Sequence, residues 1–481
     1  MLGPNISRLQ RCTEALHSVP FLGPTMNDAF DTCSALFHEV SSQGLAPTLY
    51  QIASHLSGER KQHQGLPLKG QEVIKSVQAV DLGAEEYKNI VIIGGSIFGI
   101  ATAMQVRYSL PLPKNYRLII IEKHSHMHYM FAFPRASVIP GFEKELFAPY
   151  DNLFKSAKEG RVIQACATSI TPTHVELDRS VDGFGTIVPY EYLLYGAGAK
   201  HPRPGCLSDE STKEEGVTVL KEYQARIGRS DKVLVIGGGA VGLELAAEIK
   251  EHYPEKEVTL VHSRERYLQT YKFGLHRRAY SILKNLGVRQ ILGDRVTIPP
   301  GGFKDDGKEI VVKTRAGLSI TSDLQILCTG MIPNSALLST LSPASVNPEN
   351  KYVLVKPSLQ IADPRFPNVF AGGDVVDLPD IKTGISAFAH AAVAIENVVK
   401  LVEGKEKGLK EHEIKLVERS PVLPQIYLYF GLHRGIAQLS YHGYLYTAGT
   451  WLVRKHFSYN VLASRAWDWC GTPLSAETVD T

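Results

Sequence analysis

Lys232-Val-Leu-Val-Ile-Gly-Gly-Gly-Ala-Val-Gly242 opens as a short β-branched apolar strand and closes with Gly237, Gly239 and Gly242 at G-x-G-x-x-G spacing. Leu243-Glu-Leu-Ala-Ala-Glu-Ile249 then has the composition of a helix. Strand, tight turn and helix form the context in which this spacing binds a dinucleotide. The first glycine permits the turn, the second lets a pyrophosphate approach the backbone, and the third lets helix and strand pack closely. The helix N-terminus supplies free N–H groups and a partial positive charge. The following strand, Val258-Thr-Leu-Val261, ends in His262, Ser263 and Arg264. An enzyme that demands NADH would place a ribose-binding acid there. No carboxylate does so, and Arg264, with Ser263 and His262, offers charge-assisted hydrogen bonds to a 2′-phosphate. NADPH is therefore expected ahead of NADH.

A second copy lies upstream. Asn89-Ile-Val-Ile-Ile93 is a buried-strand run, followed by Gly94, Gly95, Ser96 and Gly99 and by the helix-like Ile100-Ala-Thr-Ala-Met-Gln-Val106. Ser96 replaces the middle glycine, so its side chain either crowds a phosphate or hydrogen-bonds it. The next strand, Tyr116-Arg-Leu-Ile-Ile-Ile, ends in Glu122 at the place of the acid that binds a ribose. That suits adenosine without a 2′-phosphate. An ordinary β–α turn explains one such cluster, but it is a poor explanation of two. One nucleotide domain inserted into another would pass electrons from a nicotinamide to a second nucleotide. The chain is read as a flavoprotein that binds FAD and takes hydride from NADPH or NADH.

At 481 residues the chain is too long for one core. The balance of 52 basic against 49 acidic residues leaves a net charge of +3, without the concentrated positive field of a nucleic-acid binder. Cys12, Cys33, Cys166, Cys206, Cys328 and Cys470 are scattered, with no C-x-x-C pair, which fits a reducing, intracellular setting. No run approaches about 20 consecutive apolar residues, so an integral membrane protein is not expected. In the N-terminal stretch Arg8 and Arg11 face only Glu14, loosely like a mitochondrial presequence. Phe30, Cys33, Phe37 and Val40, then Leu49, Ile52 and Leu56, recur at helical spacing, so 1–86 is expected to be a helical extension.

From about residue 88 to the C-terminus the chain resembles the FAD- and pyridine-nucleotide-dependent oxidoreductases related to apoptosis-inducing factor. The likeness runs to the ferroptosis-suppressor branch, which is associated with mitochondria and includes many fungal proteins. Tyr192-Leu-Leu-Tyr-Gly-Ala-Gly198 is like the family's crossover out of the FAD domain, and Ile326-Leu-Cys-Thr-Gly330-Met-Ile-Pro-Asn334 is like the segment leading back. Asn368-Val-Phe-Ala-Gly-Gly373-Asp374 looks like the second FAD motif, whose aspartate meets the ribityl chain. Ala246-Ala-Glu-Ile-Lys250, Tyr253-Pro-Glu-Lys-Glu-Val-Thr-Leu260 and Arg135-Ala-Ser-Val138 match the branch more narrowly. The resemblance implies an α/β fold of two doubly wound Rossmann-like domains plus a C-terminal α+β interface domain. The FAD domain is expected over 87–210 and 325–410, the NAD(P) domain over 211–324, and the interface domain over 411–481. It also implies a quinone-type acceptor. The related disulfide reductases carry a cysteine pair just past the first acidic strand, where this chain reads Lys123-His-Ser-His-Met-His-Tyr-Met-Phe-Ala-Phe-Pro-Arg135 without cysteine. Disulfide reduction is thus disfavoured.

Two residues are expected to carry chemistry. Glu244 resembles the glutamate that relatives place beside the nicotinamide, the alternative being a solvated helix carboxylate. Lys382 aligns with a family lysine near the flavin ring, where a cation stabilises the reduced anion; the alternative is a surface lysine. Arg135 is expected to meet FAD phosphate or the acceptor, or else to form a buried ion pair. His124, His126 and His128 alternate along one face without cysteine or acid to complete a metal site, so no metal is expected. The aromatic-rich C-terminus is either interface-domain core or, through Trp451, Phe457, Arg454 and Lys455, a surface that reaches a membrane-dissolved quinone. Relatives often carry a myristoylated glycine at position 2, but Leu2 stands here, so anchoring by that route is not expected. A cytoplasmic or mitochondrion-associated location, peripheral membrane contact and a homodimer are compatible with these features. Two other functions fit the same motifs: a tailoring oxidoreductase acting on a small metabolite, and a redox-sensing interaction protein.

Overall fold

The computed structural model describes residues 87–475 apart from 208, 305, 442, 452 and 454–460. The helical extension expected over 1–86 lies outside the described residues, as do Arg454, Lys455 and Phe457.

β1 (Lys88–Ile93) runs into α1 (Ile97–Tyr108), and β2 (Tyr116–Glu122), β3 (Gly160–Gln164) and β4 (Tyr192–Tyr195) follow. β1 pairs in parallel with β2 on one side and β4 on the other. Ile90, Val91 and Ile92 are fully buried, which is why β1 reads as an unbroken apolar run and not as an alternation.

α2 (Lys213–Arg229) begins at a capping box in which Thr212 and Glu215 satisfy each other's backbone N–H. It leads to β5 (Lys232–Ile236), α3 (Ala240–His252), β6 (Glu257–His262), α4 (Phe273–Leu286), β7 (Arg289–Leu292) and β8 (Leu324–Leu327). These strands form a second parallel sheet in the order β7-β6-β5-β8.

β9 (Val369–Ala371) then returns to the first sheet beside β4, completing the order β9-β4-β1-β2-β3. α5 (Gly384–Glu406) packs on α1. The second sheet is therefore inserted between two strands of the first. The outgoing and returning segments meet where Ala199–Lys200 pairs antiparallel with Ile332–Pro333. Asn334 fixes the meeting: its backbone N–H donates to the Gly198 carbonyl at 3.0 Å and its side chain to the Ala197 carbonyl at 2.9 Å.

β10 (Ile426–Tyr429), β11 (Gly435–Tyr441) and β12 (Tyr444–Ala448) form an antiparallel sheet, followed by α6 (Ala463–Trp469). Leu428, Phe430 and Ile436 share one core with Val233, Leu243 and Leu260, so this sheet is built onto the second nucleotide-binding sheet. The C-terminal aromatics divide accordingly. Tyr429, Phe430 and Trp467 are buried, whereas Tyr444, Tyr446 and Trp451 are exposed.

By length and mean hydropathy alone α5 is apolar enough to cross a bilayer, although Ser386, His390 and Asn397 interrupt its apolar run. It is a core helix, with Ala391, Ala394, Ile395 and Val398 fully buried.

Candidate functional site

At the β5–α3 turn Gly237 has φ +116° and lies against the Cys328 carbonyl at the end of β8, where a Cβ would collide. A Cβ on Gly242 would strike the Gly237 carbonyl, so these two positions serve the fold. Gly239 differs: a Cβ there would meet nothing within 4 Å. The N-terminus of α3 thus opens onto free space at the residue that should face a pyrophosphate. Gly330, on the returning segment, borders open space too, and Arg264 is exposed just beyond β6.

The β1–α1 turn repeats this plan. Gly94 closes on the Gly196 carbonyl and Gly99 on the Gly94 carbonyl. Ser96 is the N-cap of α1 and makes no side-chain capping bond, which leaves its hydroxyl for a phosphate. The Gly95 N–H donates to Glu122 Oε2 at 2.6 Å, while the His124 backbone N–H and Nδ1 approach Oε1 at 3.0 and 2.7 Å. Burial pushes the Glu122 carboxyl up, but the His124 and Gly95 donors outweigh it and bring its pKa down to about 2. A full negative charge therefore stands at the ribose position.

Gly198, with φ +65°, has nothing within 4 Å of a built Cβ. Gly373, with φ +75°, donates its N–H to His390 Nδ1 at 3.2 Å. Burial raises the Asp374 carboxyl, with Lys382 opposing the shift, and the carboxylate accepts no hydrogen bond among the described residues. A sheltered acceptor without a donor suits a hydroxylated chain. The open glycine, the uncommitted Ser96 hydroxyl and this carboxylate all fit bound dinucleotides.

The expected chemical residues are each engaged. Glu244 is buried and not solvated; its Oε1 accepts the Tyr429 N–H at 3.0 Å, and burial pushes its pKa up to about 8. Lys382 is half-buried and not a surface lysine. Its ammonium donates to the Val376 and Leu378 carbonyls at 2.5 and 3.3 Å, so it braces the loop after Asp374. Arg135 takes part in an ion pair. It is 2% exposed, and its guanidinium meets Glu248 Oε1 at 2.8 Å and the Gly431 carbonyl at 2.8 Å. The guanidinium thus forms the buried ion pair that was the alternative to FAD phosphate or the acceptor. His124 and His128 stack at 4.0 Å, and among the described residues no three His, Cys, Asp or Glu side chains converge on a metal position.

Where disulfide reductases carry cysteines, this chain places aromatic rings. Phe131 is 41% exposed and lies 3.1 Å from a built Cβ on Gly384, at the N-terminus of α5. Tyr129 packs edge-on to Phe131 at 5.4 Å, and Trp469 lies 6.3 Å from Tyr129 and 5.3 Å from Phe388. The sequence reading missed Phe388, from α5, and counted Trp469, from α6, only among the aromatics of the C-terminal segment. It also missed a buried relay behind Gly373: His390 Nε2 meets Asp380 Oδ2 at 3.1 Å, and Arg419 meets the same oxygen at 3.0 Å. The available signal was a histidine within the apolar face of α5.

Residues 68–396 match the family described as pyridine nucleotide-disulphide oxidoreductase. Among curated relatives, Fe-regulated protein 8 of Mycosarcoma maydis is 30% identical over 75% of this chain and 90% of its own length. Ferroptosis suppressor protein 1 of Mus musculus is 30% identical over 81% of this chain and 96% of its own. Apoptosis-inducing factor homolog A of Dictyostelium discoideum is 27% identical over 79% and 91%. An NAD-dependent persulfide reductase from A. fulgidus superposes with a TM-score of 0.55 at 18% identity, covering 76% of this chain and 65% of that one. A water-forming NADH oxidase from Lactobacillus brevis gives 0.53 at 19%, covering 73% and 75%. These structures share the fold. The first glycine turn, Glu122 and Asp374 would hold FAD, which would supply the chemistry of accepting hydride from NAD(P)H. The chain belongs to the pyridine nucleotide-disulphide oxidoreductases as an FAD- and NAD(P)H-binding enzyme of the branch related to apoptosis-inducing factor and ferroptosis suppressor protein 1.

Proposed function

We propose that this oxidoreductase delivers its electrons to a quinone-type acceptor. The observation that carries the reading is the replacement of a thiol pair by the rings of Tyr129, Phe131, Phe388 and Trp469 beside the N-terminus of α5. A thiol relay would require cysteines in that segment, and none is present. Aromatic walls suit the flat, conjugated ring of a quinone, stacking between aromatic rings being worth about 0.5–1.5 kcal/mol per pair beyond burial. The described residues bind and orient. The two glycine turns hold the pyrophosphates, Glu122 and Asp374 hold hydroxyls, and Lys382 fixes the loop that carries Asp374.

The exposed Tyr444, Tyr446 and Trp451 support a peripheral contact with the membrane in which such a quinone dissolves. In the test, the FAD-loaded chain is reduced anaerobically with NADPH and then mixed with ubiquinone analogues, ferricyanide, oxygen or disulfides. Reoxidation fastest with the quinones is expected. Reoxidation that is faster with a disulfide would exclude the proposal, and turnover confined to one small metabolite would favour a tailoring enzyme.

A further inference from the structure

The two nucleotide cradles repeat one hydrogen bond with opposite chemistry. In the first, the Gly95 N–H donates to the Glu122 carboxylate at 2.6 Å. In the second, the N–H of Gly238, the equivalent residue, donates to His262 Nδ1 at 3.1 Å. Glu122 and His262 occupy the same place, each ending the strand that follows its fingerprint helix. Because Nδ1 accepts, the ring proton belongs on Nε2, and a backbone bond to Arg266 engages the ring further. Burial, then the nearby Arg264 charge, holds the ring below the usual imidazole pKa and therefore neutral. The corner that is anionic in one cradle is uncharged in the other. It offers a ribose no carboxylate.

Arg264 lies two residues beyond His262. It is exposed and forms no ion pair among the described residues. Its backbone is anchored, since its carbonyl accepts the Gly293 N–H at 3.0 Å. Neither neighbouring charge forms an ion pair with Arg264 among the described residues. Arg266 donates to the Gln269 carbonyl at 3.1 Å, and Glu265 leans on Gly293, its Oε1 2.5 Å from a built Cβ. Arg264 is thus an anchored, unpaired cation beside a ribose corner that lacks its acid.

We infer that the second cradle selects NADPH over NADH: His262 takes the place of the acid that would repel a 2′-phosphate, and Arg264 binds that phosphate. The inference rests on the reading of the chain as an NAD(P)H oxidoreductase. Anaerobic stopped-flow reduction of the FAD-loaded full chain by each coenzyme tests it, with 2′,5′-ADP and 5′-AMP as competitors. NADPH should be favoured in kcat/KM by about tenfold or more, the size of one charge-assisted contact, and 2′,5′-ADP should compete better than 5′-AMP. Arg264→Ala should lower both ratios by about tenfold. His262→Glu, which copies the first cradle, should lower them as well and improve NADH. A wild-type ratio at or below one, or an Arg264→Ala variant that scales both coenzymes equally, would overturn the selection. Failure of the parent reading looks different: neither coenzyme would bleach a flavin that dithionite bleaches.

Discussion

Glu244 is a helix carboxyl that burial has turned into a weak acid. Its ordinary pKa of 4.5 is raised to about 8, by burial first and by Glu248 as well, while the Tyr429 N–H works in the opposite direction. The unfolded chain ionises this group near pH 4.5, whereas the folded chain keeps the proton until about pH 8. Between those values the folded state binds more protons than the unfolded state, so stability falls as pH rises and levels off above the folded pKa. The loss is on the order of a few kcal/mol. Glu244→Gln keeps an acceptor for the Tyr429 N–H and has no proton to lose. Its melting temperature should therefore match the wild type at pH 5 and exceed it at pH 8. A difference that does not change with pH would show that Glu244 is ionised in the folded protein. The same carboxyl shows how much the sequence reveals. Its place after the fingerprint was legible, but its burial depends on Tyr429, a residue from a distant strand that no local pattern announces.

The strand–turn–helix units were the most legible elements, because a short apolar run, glycines at fixed spacing and a helix leave few alternative geometries. The glycines of one fingerprint nevertheless do different work, and the difference gives a prediction. Gly242 lets α3 lie against the Gly237 carbonyl, while Gly239 faces open space. Gly242→Ala should force the helix off the strand and cost about 1–3 kcal/mol or more, seen as a lower unfolding midpoint. Gly239→Ala should leave the midpoint unchanged and weaken NAD(P)H about tenfold by holding the pyrophosphate away from the helix N-terminus. If both variants lost stability alike, the open space at Gly239 would not be the pyrophosphate cradle. The relay of Gly373, His390, Asp380 and Arg419 was not legible. It joins a turn, a helix and a loop, and its members are ordinary residues until packing brings them together.

At the scale of the whole molecule, Arg135 joins three parts of the chain. It leaves the short helix Phe133–Ala136, which follows β2 in the chain, pairs with Glu248 on α3 of the second sheet's unit, and donates to the Gly431 carbonyl beside the C-terminal sheet. It also lies 5.9 Å over the Tyr429 ring. The sequence narrowed Arg135 to a ligand of FAD phosphate or the acceptor, or else a buried ion pair, and only the packing of separate segments decides between them. Burial pushes the Glu248 carboxyl up and the arginine pulls it down, so each charge depends on the other. Arg135→Met should leave Glu248 buried without its cation and cost about 3–5 kcal/mol. Adding Glu248→Leu removes the stranded carboxylate and should restore most of that loss, because a buried pair replaced by apolar groups of similar volume is often neutral. Denaturant unfolding followed by circular dichroism and flavin absorbance measures both changes. If Arg135→Met instead lost flavin at an unchanged unfolding midpoint, and Glu248→Leu restored nothing, the arginine would be holding FAD phosphate and the ion pair would be incidental.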